Sequence, residues 1–246
     1  MVYVINNSRH LSADMLWVLL IILFPIPGIA LFFLLGANLF TSKMYREIYR
    51  STEESKKYYI QDDLVLEEME KLAPHMKGDF HYLAKTEKYP FYRNTEFDYY
   101  SLGDTGYPVM LEEMKRAEKF IFLEYFTIEK GVLWEGMHAI LKEKVAQGLD
   151  VRVMYDDMGT IHSLPSSYAN LLESEGIKCV RYNQIHPLVG AVMNHRDHRK
   201  IMVIDGKVAF SGGMNLADEY INQKMVFGHW KDNVIRVKGE AVWSYT

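Results

Sequence analysis

The 246-residue sequence predicts an α/β fold: a mixed, largely parallel sheet flanked by helices, preceded by an N-terminal membrane segment. Three observations predict it. From Ser101 onward, apolar runs of strand length alternate with amphipathic stretches of helical period, which is the pattern of βαβ units. Apolar residues make up 49% of the chain, enough for a sizeable core. Met15 to Gly36 runs for 22 residues without a charge.

That first segment has the length of a membrane span. At 1.5 Å per residue it reaches about 33 Å, against a hydrocarbon core of about 30 Å. Pro25 and Pro27 interrupt it, so a kinked span and a tight re-entrant segment both fit. Residues 1 to 14 carry one Lys or Arg, Arg9, whereas residues 37 to 57 carry Lys43, Arg46, Arg50, Lys56 and Lys57. The positive-inside rule then places the remainder of the chain on the cytoplasmic side. The basic stretch is also suited to anionic headgroups.

Three regions are expected: a membrane segment over 1–40, a helical and aromatic connector over 41–97, and a catalytic domain over 98–246. Residues 43 to 76 read as polar helix. Tyr89 to Tyr100 holds six aromatics in twelve residues and reads either as an edge strand or as an interfacial aromatic belt. In the domain, Tyr107 to Ala117 has helical apolar spacing and Phe120-Ile121-Phe122-Leu123 is a buried-strand run. Leu133 to Gln147 is an amphipathic helix ended by Gly148. Val151 to Tyr155 is a strand closed by Asp156-Asp157. Ser166 to Glu175 is a helix stopped by Gly176, and Ile177 to Tyr182 is a strand. Ile201 to Ile204 forms another strand, with a hairpin-like return through Lys207 to Ser211.

Chemistry concentrates around that last strand, in the run from His198 to Asn215. His198, Lys200 and Asp205 form an H-x-K-x4-D array, followed by Gly212, Gly213, Met214 and Asn215. Period 2 puts His198, Lys200 and Met202 on one strand face. An imidazole beside an ammonium suits a phosphodiester: the ring attacks phosphorus, and the cation holds the non-bridging oxygens as charge builds. Asn215, after two glycines, offers amides to the same group. Asp205 stands at the strand end before Gly206, a position suited to fixing a turn.

This array resembles the signature of the phospholipase D superfamily. With Leu216-Ala217-Asp218-Glu219-Tyr220 after the glycines, it looks most like bacterial cardiolipin synthases. The resemblance implies a phospholipase D-like fold and phosphoryl transfer through a histidine nucleophile, with no metal or other cofactor. It also implies phosphatidylglycerol and related anionic phospholipids as substrates, giving cardiolipin and glycerol at the bacterial cell membrane. The family places a ring-orienting carboxylate some thirty residues beyond the histidine. Asp232, in Trp230-Lys231-Asp232, matches that placement, with Glu219 as the alternative. Glu124, in Glu124-Tyr125-Phe126, matches an element near the site in these synthases. Inside an apolar strand its carboxylate either pairs with a site cation or lies at a surface edge. Gly212 and Gly213 would border the substrate, and His195 and Arg196 would line the mouth.

Superfamily sites use two facing copies of the array, and this sequence carries one. The resemblance therefore covers about the N-terminal half of a full-length synthase. Truncation is the favoured reading. A homodimer or a separate C-terminal half would equally supply a second histidine. Two other functions stay open: a hydrolase using water as acceptor, and an inactive, membrane-anchored lipid-binding half-protein.

Composition narrows the alternatives. A net charge of −4 gives no bulk attraction for nucleic acid. The single cysteine, Cys179, permits no internal disulfide. His195, Asp197 and His198 form an H-x-D-H cluster without further His or Cys at ligand spacing, so no metal site is expected.

Overall fold

A computed structural model describes residues 11–33, 41–185 and 196–246. Its centre is a seven-stranded sheet. The strands are β1 (Thr95–Tyr100), β2 (Phe120–Tyr125), β3 (Asp150–Asp156), β4 (Lys178–Tyr182), β5 (Lys200–Ile204), β6 (Val208–Gly212) and β7 (Val234–Gly239). They stand in the order β1-β7-β6-β5-β2-β3-β4.

The sheet is mixed, as expected, but it is not largely parallel. Only β2–β3 and β3–β4 pair in parallel; the remaining pairs, β1–β7, β7–β6, β6–β5 and β5–β2, are antiparallel. The connections explain the difference. Helices Val132–Ala146 and Tyr168–Ser174 carry the chain across between β2, β3 and β4, and such crossovers give parallel neighbours. Between β5 and β6 stand only three residues, Asp205 to Lys207. Asp205 and Gly206 have φ of 55° and 65°, the left-handed pair of a tight hairpin turn, which can only return the chain antiparallel.

Strand alternation separates two apolar layers. Ile121, Leu123, Val151, Val153, Met202, Ile204 and Phe210 point to one face, where Met110 and Met114 of helix Gly103–Lys115 cover them. Leu133, Trp134, Met137 and Leu141 of helix Val132–Ala146 complete that core. Val203, Ala209, Val237 and Val242 form a smaller cluster on the other face. Every predicted strand and helix of this region appears, with ends shifted by a few residues. Helix Gly103–Lys115 starts four residues before the expected Tyr107. The start of helix Val132–Ala146 is capped from a distance: the Asp218 carboxylate accepts the Val132 and Leu133 N–H groups at 3.0 and 2.8 Å.

Of the stretch Tyr89 to Tyr100, Thr95–Tyr100 forms edge strand β1, with Phe97 and Tyr99 exposed. Phe91 packs edge-on to Phe80 at 5.4 Å, in a small cluster with Leu66 and Ala84. The expected 41–97 connector divides: residues up to Ser55 belong to one compact unit, and Lys56 onward to the unit that holds the sheet.

The N-terminal unit corrects the expected transmembrane helix. Among the described residues no helix is long and apolar enough to cross a membrane. Instead α1 (Leu11–Leu23) ends, Phe24 takes a non-helical φ of −134° and ψ of 78°, and α2 (Pro25–Leu31) begins. Proline disfavours helical geometry in the residue before it and suits the first helical position itself, so Pro25 both stops α1 and starts α2. The two helices fold back on each other. Trp17 and Phe32 are 15 residues apart in sequence, yet their rings meet edge-on at 5.7 Å. Gly28 makes the approach possible, because a Cβ there would lie 2.8 Å from the Leu20 carbonyl oxygen. At 13 residues, α1 reaches about 20 Å, short of a bilayer core of about 30 Å. The expected entry loop from Val4 to Arg9 lies outside the described residues.

Candidate active site

The functional side chains gather at one edge of the sheet, where β2 and β3 end, β5 and β7 begin, and β6 ends. Lys200 opens β5 and His198 stands two residues before it. The His198 side of this strand start is exposed, and Lys200 is buried. Lys200 Nζ donates to the His198 carbonyl oxygen at 2.6 Å. Phe126, just beyond β2, supports both: its ring meets the His198 ring edge-on at 4.8 Å, and Lys200 Nζ lies 5.4 Å from its centroid. Burial holds the Lys200 ammonium below its ordinary pKa, and the nearby Asp232 and Asp197 carboxylates oppose that shift. A small hollow beside Lys200 is lined by Tyr125, Ser211, Gly212, Met214 and Asn233.

The segment that leads into His198 is pinned from β3. Asp156, fully buried, accepts the Asp197 N–H on Oδ2 at 2.9 Å and Arg196 Nη1 on Oδ1 at 3.3 Å. The same carboxylate caps the turn after β3 through the Met158 N–H at 2.8 Å. Asp197 in turn accepts Arg199 Nε at 2.9 Å, and Arg199 Nε lies 2.6 Å from Glu124 Oε1. Glu124 and Asp197 face each other across this guanidinium. Burial first, then the hydrogen bond that its protonated carboxyl donates to Asp197, pushes Glu124 up to about 7. Burial also acts to raise Asp197, but Arg199 and Glu124 outweigh it and hold its carboxyl below the usual range. Of the two readings of Glu124, the structure gives the cation pair, with Arg199 as the cation.

The remaining predicted residues divide. Asn215 is buried at the same edge, but its amide is partly committed: Oδ1 accepts the Thr127 N–H at 3.1 Å and Nδ2 donates to the Tyr220 hydroxyl at 2.8 Å. Gly212 has φ of 151°, and a Cβ on Gly213 would overlap the Asp232 carboxylate. Asp232 Oδ1 accepts the Asn233 N–H at 3.1 Å. No hydrogen bond joins Asp232 to His198 among the described residues; the field of Asp232 reaches Lys200 instead. Glu219 lies on the short helix Asp218–Ile221, with Oε2 buried and unpartnered.

Asp205 shares the array with His198 and Lys200 but does not stand with them, in line with the turn position expected of it. It lies at the far end of β5, where its carboxylate accepts the Glu118, Lys119 and Phe120 N–H groups at 2.8, 2.8 and 2.9 Å. Burial would raise its pKa, and those three donors more than offset it. Its left-handed backbone and these bonds make it a turn clamp. His195 lies outside the described residues.

The sequence gives no separate role to Phe126, and Asp156 reads there either as a residue at the ligand end of a strand or as a turn and cap residue. Both carry a sequence signal: each directly follows or ends a strand at its C-terminal edge, where α/β sheets place ligands. An exposed imidazole with a buried ammonium behind it suits attack on a tetrahedral anion such as a phosphodiester.

Residues 110–238 match the family described as cardiolipin synthase, PLD-like domain. The chain is 39% identical over 244 residues to an uncharacterized protein of Streptococcus mutans, covering 99% of this chain and 53% of that one. It is 32% identical over 238 residues to a cardiolipin synthase of Alkalihalophilus pseudofirmus, covering 96% of this chain and 47% of that one. The chain thus spans about half the length of these relatives. Among solved structures, NucT from Helicobacter pylori aligns with a TM-score of 0.47 at 12% identity, covering 61% of this chain and 90% of that one.

Proposed function

Because the chain belongs to the cardiolipin synthase, PLD-like domain family, we propose that it carries one half of a phosphatidyl-transfer site with His198 as nucleophile. A ring nitrogen of His198 attacks the phosphorus of a phosphatidylglycerol. The P–O bond to the headgroup breaks, a P–N bond forms, and the departing alkoxide takes a proton to leave as glycerol. The hydroxyl of a second phosphatidylglycerol then attacks, loses its proton, displaces the histidine and yields cardiolipin. Lys200 holds the non-bridging oxygens, and Asn215 fixes the loop that carries the glycine pair. Asp232 balances the charge of Lys200.

The observation that carries this reading is the pairing of an exposed His198 ring with the buried Lys200 ammonium across Phe126. A nucleophile must be reachable, and a cation gains strength where water is excluded. A second histidine supplies the proton to the leaving alkoxide. It comes from a second copy of the chain or from a C-terminal half, in keeping with relatives about twice as long. The apolar hairpin presents Leu16, Ile22, Phe24 and Ile26 on its outside, a surface suited to one leaflet rather than to crossing the bilayer.

The test is reconstitution in phosphatidylglycerol liposomes, with cardiolipin read by mass spectrometry. Product from the chain and none from His198→Ala supports transfer by paired copies. Product only after addition of a C-terminal half supports the half-site. Phosphatidic acid in place of cardiolipin would replace transfer by hydrolysis.

A further inference from the structure

One exposed apolar element adjoins the site and has no part in the chemistry above. Between Ile221 and Trp230 the chain leaves the sheet edge as a loop whose stem is fixed and whose tip is bare. Asn222, with φ of 56°, closes the stem: Trp230 N–H donates to its Oδ1 at 2.7 Å, and its Nδ2 donates to the Trp230 carbonyl at 3.2 Å. Lys224 adds a second tie, to Glu129 at 2.7 Å. Beyond these ties the tip Met225-Val226-Phe227 projects, with Met225 82% and Phe227 89% exposed.

Three adjacent large apolar side chains on a braced loop are not accounted for by folding, because exposing them forgoes burial. Their surroundings say what they fit. Lys224, His229 and Lys231 flank the tip, none of them buried. Phe227, Trp230 and Tyr220 form a ring series, at 6.3 Å and then 5.1 Å, that ends on Asn215 through the Tyr220 hydroxyl. An apolar point, the Lys224 and Lys231 side chains on either side of it and amphipathic Trp and Tyr rings below it match the layers of a bilayer surface: acyl chains, headgroups and interface. Two residues past Trp230, Asp232 meets Gly213 in the site.

We infer that Met225, Val226 and Phe227 insert into the surface of an anionic phospholipid bilayer, seating the rim of the site where a lipid phosphodiester lies. This rests on the proposed lipid substrate. The loop then spares the donor from leaving the leaflet: its acyl chains stay among the bilayer lipids while its phosphate reaches His198.

The experiment reads depth at the tip alone, so that neither the N-terminal hairpin nor turnover enters the signal. Phe227→Cys in the full chain is labelled with an environment-sensitive fluorophore. Cys179 stays unlabelled, because it is buried and its thiol is pushed up to about 12. The probe is vesicles of phosphatidylglycerol and phosphatidylcholine in equal parts, with and without brominated acyl chains. The expected result is a blue shift and strong bromine quenching at position 227. A label at Glu96→Cys on edge strand β1 should show neither change. The same response in a His198→Ala background keeps the insertion separate from the catalytic reading. If that catalytic reading fails, the label still inserts. A label at 227 that stays in water on vesicle-bound chains overturns the inference. So does a label shielded without vesicles as chain concentration rises, which assigns the tip to a second copy. Shielding only on addition of a C-terminal half overturns it equally, by assigning the tip to that half.

Discussion

The Asp156 carboxylate, fully buried at the end of β3, accepts the backbone N–H of Asp197 at 2.9 Å and so sets the residue next to His198. The position of the imidazole therefore depends on a side chain 42 residues earlier in sequence. Asp156→Asn retains the size of the side chain but weakens this bond and the Arg196 contact. Misplacement of a nucleophile by about 1 Å costs up to roughly 100-fold in rate. Turnover in Asp156→Asn is expected to fall by about that order with KM little changed, and circular dichroism should show a folded chain. A fall in kcat that matches the loss of ellipticity, with full activity per folded molecule, would mean that Asp156 serves stability alone.

Gly213 is packed directly against the Asp232 carboxylate, with no room for a Cβ. Gly213→Ala must displace that carboxylate, which opposes the downward shift of Lys200. The variant is expected to lower the Lys200 pKa further and to move the alkaline limb of the rate profile to lower pH. A pH–rate series on wild type and variant checks this; coincident limbs would remove Asp232 from the electrostatics of Lys200.

Asp205 is expected to matter for stability and not for chemistry. Each hydrogen bond to a charged group contributes about 1.5–3 kcal/mol. Allowing for partial exposure and relaxation, Asp205→Ala should cost roughly 2–4 kcal/mol. Urea unfolding measures the loss, and activity per folded molecule should be retained. Its folded pKa is depressed, so this stabilisation is present above the ordinary aspartate value and fades as pH falls through the folded one.

Glu124 gives the opposite pH signature. Its folded pKa is raised to about 7, chiefly by burial and then by Asp197. A raised acid favours the folded state fully below its unfolded value, and that contribution is lost as pH rises through the folded value. Native stability should therefore decline between pH of about 4.5 and 7 from this group. Glu124→Gln should flatten that decline relative to wild type in thermal melts taken across the window. Parallel curves for the two proteins would show that Glu124 is ionised throughout.

Much of this was legible in the sequence because local period and turn chemistry agreed with the final packing. Ile201 to Ile204, between a polar start and Asp205-Gly206, can only be a strand feeding a hairpin, and it is. Lys200 and Asn215, singled out by an array that resembles a family signature, are both buried at one end of the sheet, because residues close in sequence share one strand edge. Sheet direction was not legible. β5 pairs with β2 across some eighty residues, and nothing local fixes that partner or its sense. The fold-back of α1 on α2 was equally hidden: hydropathy sums over a window, whereas Phe24, Pro25 and Gly28 decide the path. Asp156 and Asp218 act on segments 41 and 86 residues away, and no pattern within a window reports such a contact.

The central claim is that His198 is the nucleophile, and a single turnover with an activated donor tests it most directly. A p-nitrophenyl phosphodiester leaves as nitrophenolate and needs no second histidine to protonate it. The account predicts a burst of one nitrophenolate per chain and a matching phosphoryl adduct on the peptide containing His198, both lost in His198→Ala. Release without an adduct, or an adduct on another residue, would contradict it.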